Sequence, residues 1–525
     1  MNKLSILLAF GIAFSCNSSK EANQAVVTQQ IEPKSVEDFA ATITSDDLKT
    51  HLYIYASDEF EGRETGKPGQ KKAVNYLRTH YQKFNIPHPE SLQTYFQPVP
   101  LVLNKLPEAS FQTENQSFVL GEDFVPVGAS QDLSLNNVEL VFAGYGIESA
   151  AYSDYTGLDV KGKIVLVRAG EPRLEDGTYV VSGTKEPSEW SNFRPANRAR
   201  MDVAKEKGAL GILVMDKNYW PRLSSRFQYT KRLAATGGGS ISLTGNVDSF
   251  FNWYLSEKAA KTIYSEIEKA SANPKVVENV GISLTNDTEA VDSENVIAYI
   301  KGTEFPDEYV VISSHLDHIG IAPDGQINNG ADDDGSGTVA VLEIAEAFSK
   351  AVASGYKPKR SVVFLNVTGE EKGLLGSEYY SQNPVFPMEN TVADLNIDMI
   401  GRTDPKRSGS DNYVYLIGSD KLSSELHQLS EEVNKKYVNI ELDYTYNDEN
   451  DPNQFYYRSD HYNFAKHNVP IIFYFNGTHE DYHKVSDTPD KIRYDLLETR
   501  ARLVFHTAWE IANRDKRLVV DKPAP

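Results

Sequence analysis

Short apolar runs and amphipathic segments alternate along the second half of the chain, beyond about residue 278. Each apolar run is bounded by polar residues, which is typical of a strand buried in a parallel sheet. The segments between these runs have the apolar spacing of helices. The alternation predicts an α/β fold whose mixed sheet has a mostly parallel core and helices on both faces. The predicted strands are 296–300, 309–314, 361–367, 393–400, 413–417 and 470–474, and the predicted helices are 338–353, 372–381, 422–435 and 494–513.

The first half of the chain follows a different pattern. Two helices are predicted at 45–55 and 68–84, and a turn-rich link joins them. Residues 138–170 form short β-type runs with glycine turns, and a helix at 201–208 leads into a strand at 209–215. This pattern predicts a small β-rich domain inserted between two parts of a larger domain.

The N-terminal segment has the pattern of an export signal. The apolar run 4–14 is too short to span a bilayer, and Cys16, the only cysteine in the sequence, follows it. Residues 13–16 resemble a bacterial lipobox, so we expect export to the bacterial cell envelope and a lipid on Cys16, on the periplasmic or outer-membrane face. Ordinary signal cleavage is the alternative. The predicted organisation is a signal peptide over 1–15, a flexible tether over 16–40, the larger domain over 41–134 and 261–520, and the inserted domain over 135–260.

Composition and charge exclude some classes of function. The 525 residues are 40% apolar, which suits an ordinary globular protein with two or three domains. A formal charge of −21 argues against a nucleic-acid partner or an anionic membrane surface, since both need clustered lysine and arginine. The N-terminal lipid is therefore the expected membrane attachment, and no thiol beyond Cys16 is available for catalysis or metal binding.

Candidate metal ligands follow the strand predicted at 309–314. His315 stands at its carboxyl end, and in extended chain Asp317 would share a face with it and accept its second ring N–H. Three adjacent carboxylates, Asp332, Asp333 and Asp334, follow between glycines, and they repel one another unless a cation neutralises them. Taken separately, these features also fit a structural histidine and a solvated acidic loop.

The neighbouring strands end in similar residue types. Glu370 and Glu371 follow one strand, Asp398 lies near the end of another, and His483 precedes the last helix. Ligands of open α/β sheets bind at this carboxyl edge. A Glu pair alone could simply mark a helix N-terminus. Imidazole and carboxylate ligands without thiolate suit zinc, and the number of carboxylates suggests two ions that share an aspartate.

Five motifs of the sequence are similar to those of a known family. In order they are HLDHIG, GADDDGSG, GEEKGLLGS, NIDMIG and YHKVSDTPDKI. They resemble the di-zinc aminopeptidases, a family that includes aminopeptidase S, aminopeptidase Y and, more distantly, glutamate carboxypeptidase. The resemblance covers 45–130 and 275–515 and implies a fold of the zinc exopeptidase type. Within 135–260, GYGI, KGKIVLV and AKEKGALGILV resemble the protease-associated domain.

The resemblance implies a ligand set for two zinc ions. His315, Asp333 and Asp398 would bind one ion, and Asp333, Glu371 and His483 would bind the other, so that Asp333 is the bridge. The alignment of DDGSG with the family pattern selects Asp333 as this bridge.

Four further roles are implied by the resemblance. Glu370 matches the general base, and Asp317 matches the residue that supports His315. Tyr482 stands where the family places a tyrosine near the tetrahedral intermediate, and its hydroxyl could donate to the developing oxyanion. Arg458 matches an arginine that contacts substrate in some members, although it could equally be a partner for local aspartates.

Other positions carry weaker expectations. The family has a cis peptide after the bridging aspartate, so we predict one between Asp333 and Asp334. We expect His318 and His461 to be structural. The loop 447–453 could rim the cleft or bind calcium, but its composition favours a solvated loop.

The implied reaction is hydrolysis of the N-terminal peptide bond of a peptide with a free N-terminus. A carboxypeptidase or dipeptidase of the same fold is the main alternative, and it would need a cationic pocket, for which Arg458 and Arg402 are the candidates. A glutaminyl-cyclase-like acyl transferase and a non-catalytic binding protein are less favoured. The complete set of ligand types, together with Glu370, argues against the last.

Overall fold

The computed structural model describes residues 34–523, with the exception of 129, 236, 246–247 and 270–274. The predicted signal peptide and Cys16 lie outside the described residues. Within the described part of the chain, no helix is long and apolar enough to cross a membrane.

The α-helices confirm the predicted helical segments. Those at 45–55 and 494–513 have the predicted bounds, whereas the helix predicted at 201–208 begins eight residues earlier, at Phe193, and ends at Glu206. The others differ from the predicted bounds by three residues or fewer. In chain order the helices are α1 Val36–Ala40, α2 Ser45–Tyr55, α3 Pro68–Lys83, α4 Phe193–Glu206, α5 Trp220–Ala234, α6 Glu257–Ile263, α7 Gly337–Ala353, α8 Leu375–Gln382, α9 Ser424–Val433, α10 His461–Ala465 and α11 Tyr494–Asn513.

The strands include all those predicted in the second half of the chain. They are β1 Phe96–Asn104, β2 Glu108–Thr113, β3 Ser117–Phe118, β4 Phe124–Pro126, β5 Leu133–Phe142, β6 Ile164–Arg168, β7 Gly211–Met215, β8 Ser240–Leu243, β9 Phe251–Leu255, β10 Lys275–Thr285, β11 Thr288–Ile300, β12 Phe305–His315, β13 Arg360–Val367, β14 Thr391–Ile397, β15 Tyr413–Ile417, β16 Glu441–Asp443 and β17 Ile471–Phe475.

The larger sheet has a parallel core and antiparallel flanks. Its strand order is β16-β15-β17-β14-β12-β13-β11-β1-β8. Strands β13, β12, β14 and β17 run parallel to their neighbours within this core. Strand β11 is antiparallel to β13, and β15 is antiparallel to β17. The predicted fold class, a mixed α/β sheet with a mostly parallel core, is confirmed.

Alternate residues of the core strands pack into two hydrophobic clusters. Val310 and Ile312 of β12 lie in a cluster that also contains apolar residues of α2, α3, α7 and α11. Val311 lies in the cluster on the opposite face, together with Tyr380 of α8 and Phe464 of α10. This period of two confirms that helices cover both faces of the sheet.

A second sheet lies in the middle of the chain. Its order is β3-β2-β10-β5-β6-β7-β9-β4, and its strands lie between Glu108 and Thr285. It extends beyond the predicted insertion at 135–260, because β2 and β10 pair with each other from outside that range. Strand β8 instead pairs with β1 in the larger sheet. The division into domains stays a prediction.

Candidate metal centre

The parallel strands bring the predicted ligands to one edge of the larger sheet. His315 is the last residue of β12 and pairs in register with Val367, the last residue of β13. Glu370 and Glu371 follow in the turn after β13, and Asp398 comes directly after β14. Because neighbouring parallel strands end at the same edge, these side chains converge there.

His315, Asp333 and Asp398 form the first ligand group. His315 Nε2 lies 3.3 Å from Asp333 Oδ1 and 3.6 Å from Asp398 Oδ1. All three side chains are buried. The structure therefore brings together the residues predicted for one ion.

Asp333, Glu371 and His483 form the second ligand group. His483 Nε2 lies 3.0 Å from Asp333 Oδ2 and 3.2 Å from Glu371 Oε2. The two carboxylate oxygens of Asp333 thus face different groups, which is the arrangement that a bridging ligand needs. The predicted cis peptide between Asp333 and Asp334 is confirmed.

The polar atoms of these groups fit metal binding. His315 Nε2, Asp333 Oδ2 and Glu371 Oε1 are buried, and none has a hydrogen-bond partner among the described residues. Buried polar atoms are normally paired, so three convergent exceptions indicate a missing partner. A cation is the partner that would satisfy an imidazole nitrogen and carboxylate oxygens together.

The charges of the two groups are strongly coupled. Burial alone would lower the pKa of His315, but Glu370 and Asp398 raise it well above its usual value. The pKa of His483 is likewise raised, to about 10, because its contacts with Asp333 and Glu371 outweigh burial. Burial would raise the pKa of Asp333, but the imidazoles of His315 and His483 hold it well below the usual range. The opposite directions of the imidazole and carboxylate pKa shifts reflect the attraction between the two kinds of side chain.

The other carboxylates of the acidic loop have separate partners. Asp334 accepts hydrogen bonds from the backbone N–H groups of Gly337 and Met399. Ligand-type atoms of Asp334, His315 and Asp398 lie close enough for one ion. Both carboxylate oxygens of Asp334 already accept hydrogen bonds from backbone N–H groups, those of His315 and Gly337. Asp333 is therefore better suited than Asp334 to bridge two ions.

Asp332 connects the acidic loop to Gly401 and His479. Its carboxylate accepts from the backbone N–H of Gly401 at 2.6 Å, and His479 Nε2 lies 3.2 Å from its other oxygen. Asp487 in turn accepts from the backbone N–H groups of Asp332 and Asp333. The roles of His479 and Asp487 were not predicted from the sequence, although both residues stand in the segment that carries His483.

Asp317 makes a different contact from the one predicted. Its main-chain oxygen lies 3.0 Å from His315 Nδ1, whereas its carboxylate oxygen Oδ1 is 3.9 Å from that nitrogen. The carboxylate instead accepts from the Thr65 hydroxyl at 2.7 Å and from the Glu370 N–H at 3.2 Å. The prediction of a carboxylate–imidazole hydrogen bond was wrong because β12 ends at His315, so the extended period of two does not continue.

The link between α2 and α3 forms part of the site's support. The buried Arg63 guanidinium donates to the main-chain oxygens of Asn329 and Gly330, just before the acidic loop. Its own carbonyl accepts from the His318 N–H. The sequence indicated only a turn-rich link between the two helices and did not predict the contacts of Arg63 and Thr65. The available signal was an arginine, Arg63, within this turn-rich link, where its guanidinium can bind backbone carbonyls.

A small cavity opens beside both ligand groups. Its volume is about 30 Å³, and Asp333, Glu370, Asp398, Arg458 and Tyr482 contribute to its lining. A water molecule needs about 10–15 Å³ of such volume, so the cavity has room for one beside Glu370. Burial and neighbouring carboxylates, Glu371 first among them, raise the pKa of Glu370 well above its usual value. These features suit a proton acceptor and donor.

The remaining predicted residues lie at the mouth of this cavity or away from it. The Tyr482 ring stacks on His483 at 3.9 Å, and burial and the site's carboxylates raise the pKa of the Tyr482 hydroxyl. Arg458 is exposed, and its guanidinium lies 4.8 Å from the Phe455 ring. His461 is buried with Nε2 at 2.8 Å from the Tyr456 carbonyl, which fits the expected structural role.

The loop 447–453 borders a larger cavity of about 450 Å³. Asp448 accepts from the backbone N–H of Asn450, and Asp451 accepts from those of Asn453 and Phe455. These carboxylates are used by the loop's own backbone. The groups of described residues that could hold an ion lie at the sheet edge and do not include this loop.

Comparisons with known proteins agree with this architecture. An aminopeptidase from Aneurinibacillus sp. strain AM-1 has a similar fold, with a TM-score of 0.50, 18% identity, and coverage of 93% of this chain and 98% of that one. A probable glutamate carboxypeptidase of Arabidopsis thaliana is 36% identical over 120 residues, which is 23% of this chain and 16% of the relative.

Two further relatives are similar over part of their length. A probable zinc metalloprotease of Pyrenophora teres f. teres (strain 0-1) is 35% identical over 129 residues, covering 23% of this chain and 25% of the relative. A second probable glutamate carboxypeptidase of Arabidopsis thaliana is 26% identical over 309 residues, covering 52% of this chain and 39% of the relative. The chain thus spans well under half of the length of these curated relatives.

The family comparison covers the part of the chain that contains the metal centre. Residues 295–508 match the sequence profile of Peptidase family M28. This range includes the end of β11, strands β12 to β17 of the larger sheet and every residue of the two ligand groups. The part of the chain that carries both ligand groups therefore matches Peptidase family M28.

Proposed function

We propose that the protein is a zinc-dependent aminopeptidase that hydrolyses the N-terminal peptide bond of peptides. The observation that carries this proposal is the position of Asp333, whose two carboxylate oxygens face separate groups of imidazole and carboxylate ligands. This donor set, without thiolate, suits zinc, and two relatives at the sequence level are named for zinc or for carboxypeptidase activity. His315, Asp333 and Asp398 would hold one ion, and Asp333, Glu371 and His483 the other.

The proposed mechanism assigns one step to each nearby residue. The bound metal would supply Lewis acidity, which polarises the scissile carbonyl and makes water more acidic. Glu370 takes the proton from the attacking water in the adjacent cavity and delivers it to the leaving amine. Tyr482 stays protonated because its pKa is raised, so its hydroxyl can donate to the developing oxyanion.

The acidic surroundings also favour a substrate with a free ammonium group. Glu370, Asp333 and Asp398 line the same small cavity, and their negative charge attracts the cationic N-terminus of a peptide. A substrate carboxylate placed beside these three side chains, and away from Arg458, would be repelled. The substrate that we propose is therefore a peptide with an unblocked N-terminus.

The first experiment combines metal content with cleavage of an aminoacyl p-nitroanilide. We expect two zinc ions per chain, and we expect Glu370→Gln to retain both while losing activity by about 10²–10⁴-fold, the usual contribution of a general base. Loss of metal in the variant would contradict the assigned role of Glu370. Full activity in the variant would contradict the mechanism.

A carboxypeptidase is the second candidate, and Arg458 is the observation that favours it. Arg458 lines the cavity, and no ion pair of this side chain occurs among the described residues, so it is available to bind a substrate carboxylate. The other candidate, Arg402, already pairs with Asp481 at 3.2 Å. Cleavage of an N-blocked peptide with a free C-terminus, without release from free-amine substrates, would replace the aminopeptidase proposal with this one.

Attachment to the cell envelope through a lipid on Cys16 remains part of the proposal. The apolar run at 4–14 and the lipobox-like residues 13–16 support it. We expect the full chain to partition with membranes after expression in a bacterium, and Cys16→Ser to release it. Equal partitioning of both proteins would contradict lipid attachment.

A further inference from the structure

His318 lies against the second ligand group, although a structural role was predicted for it from the sequence. Its Nδ1 is 2.8 Å from Glu371 Oε1 and 3.8 Å from Asp333 Oδ2. The side chain is fully buried. A third imidazole thus reaches the same two carboxylates that His483 contacts.

Neither ring nitrogen of His318 has a hydrogen-bond partner in the described part of the chain, and Glu371 Oε1 also lacks one. The short approach of Nδ1 to this oxygen is therefore not aligned as a hydrogen bond, because the oxygen lies off the direction of a ring N–H. Buried imidazoles rarely remain unpaired. Two ligands of one metal ion, in contrast, are close together without pointing at each other.

The backbone and packing hold His318 in this position. Its N–H donates to the Arg63 carbonyl. On its other side the ring packs on Gly330, where an added Cβ would come within 2.5 Å of the ring atom Cδ2. The orientation of the ring is therefore fixed by the fold, and its unpaired Nδ1 faces the carboxylates.

The separations between donor atoms match four ligands around one ion. Bonds of 2.0–2.1 Å in a tetrahedral site place ligand atoms about 3.3 Å apart. His483 Nε2 lies 3.0 and 3.2 Å from the carboxylate oxygens of Asp333 and Glu371. His318 Nδ1 lies 2.8 Å from Glu371 Oε1 and 3.8 Å from Asp333 Oδ2. These two distances lie on either side of the tetrahedral separation of about 3.3 Å.

We propose that His318 Nδ1 is a fourth protein ligand of the ion held by Asp333, Glu371 and His483. This inference rests on the proposed metal-dependent function and adds a residue outside the ligand set that the resemblance implies. The ion at the second ligand group would then have four protein ligands, whereas the ion at the first would have three. Closed four-ligand sites retain zinc, so the two ions should differ in affinity, and the second should bind more tightly.

The decisive measurement is the proton NMR spectrum of the cobalt-loaded protein. A histidine that binds Co²⁺ gives a strongly shifted, exchangeable imidazole N–H signal from its free ring nitrogen. We expect three such signals in the wild-type protein, from His315, His318 and His483, and two in His318→Gln. Two signals in the wild type would overturn the proposal and leave His318 as a neighbour of the bound ion. This count needs no catalytic activity.

Zinc titration of the metal-free protein by calorimetry gives an independent test. We expect one tight and one weaker step in the wild type, and loss of more than 100-fold in the affinity of the tight step in His318→Gln. A residue that only supports a ligand usually contributes 10–100-fold, so a smaller loss would contradict direct ligation. Absence of any metal binding by the wild type would instead overturn the proposed function itself.

His506→Gln is the matched control. His506 is also buried with an unpaired Nδ1, but it lies on α11 and stacks on Tyr437 at 4.0 Å. This variant loses a buried imidazole without touching either ligand group. We expect it to bind two zinc ions with wild-type affinities, and a similar loss in both variants would assign the effect of His318→Gln to general destabilisation.

Discussion

Single residues of the metal centre were predictable where their role depends on residue type, and less so where it depends on local geometry. His315, Asp333, Glu371, Asp398 and His483 converge because each stands at or beyond the end of a core strand or before the last helix. The contact of Asp317 was wrong because no pattern in the sequence shows that the backbone leaves the extended conformation directly after His315.

Proton release should accompany zinc binding. The raised pKa values of His315 and His483, the latter about 10, mean that both imidazoles are protonated at pH 7 in the metal-free protein. Metal ligation requires their neutral forms. We expect about two protons to be released per two zinc ions at pH 7, and fewer as the pH approaches 10, because His483 then loses its proton before the metal binds.

Calorimetric titrations at pH 7 in buffers with different ionisation enthalpies would measure this release. His483→Gln serves as the comparison, because it removes one of the two protons. Release that is absent in the wild type, or unchanged in the variant, would show that the imidazoles are neutral before zinc binds.

Thr65 provides a second prediction at this scale. Thr65→Val keeps the shape of the side chain but removes the hydroxyl that donates to the buried Asp317 carboxylate. Leaving a buried acceptor unpaired costs about 1–3 kcal/mol, so we expect this loss in the free energy of unfolding. We also expect a lower kcat, because the other Asp317 oxygen accepts from the Glu370 N–H and helps to position the proposed base.

Denaturant unfolding and steady-state kinetics would test Thr65→Val against Thr79→Val. The Thr79 hydroxyl also donates a hydrogen bond, to the Asn75 carbonyl, but this side chain is exposed on α3. We expect little change in the control. Unaltered stability and kcat in Thr65→Val would show that this hydroxyl does not hold Asp317.

At the scale of elements, long periodic segments were predicted well and connections were not. Helices α2 and α11 and strand β15 have the predicted bounds because their burial pattern is regular. Helix α8 starts at Leu375, three residues later than predicted, because Leu374 has a positive φ of 62° and ends the turn that carries Glu370 and Glu371. The supporting role of the link between α2 and α3 depends on contacts that are distant in sequence.

Gly62 tests how closely that link must approach the site. Its φ is +66°, and an added Cβ would lie 2.4 Å from the Asn328 carbonyl oxygen and 2.8 Å from that of Gly320. Gly157 has a similar φ of +73° but no atom within 4 Å of the added Cβ. The two positions therefore share the backbone strain, and Gly62 alone adds the clash.

We expect Gly157→Ala to cost about 1–2 kcal/mol of unfolding free energy from the left-handed backbone alone. Gly62→Ala should cost about 1–3 kcal/mol more, the usual effect of overpacking, and should weaken zinc binding because the carbonyls that it displaces flank His318 and the acidic loop. Chemical denaturation and zinc titration would measure both effects. Equal destabilisation by the two variants would show that the link has room to move.

At the scale of the whole molecule, the sequence predicted the fold class but not the extent of the second sheet. Strands β2 and β10 lie outside the predicted insertion at 135–260, and their pairing joins segments more than 160 residues apart. Local periodicity carries no information about such pairing. The two sheets nevertheless have separate hydrophobic clusters, with Phe142 and Trp253 among the core residues of the second.

These separate clusters predict that zinc stabilises one part of the molecule selectively. A metal ion that binds only the native state stabilises it by about 2.7 kcal/mol at a hundredfold excess over Kd. The side chains proposed to bind zinc all belong to the part of the chain that forms the larger sheet. We expect calorimetric unfolding in two transitions, of which chelation lowers only one. Asp333→Asn should lower that same transition and make it insensitive to the chelator, because the bridge between both ligand groups is lost. A single transition, or an equal shift of both, would show that the two sheets unfold as one cooperative unit.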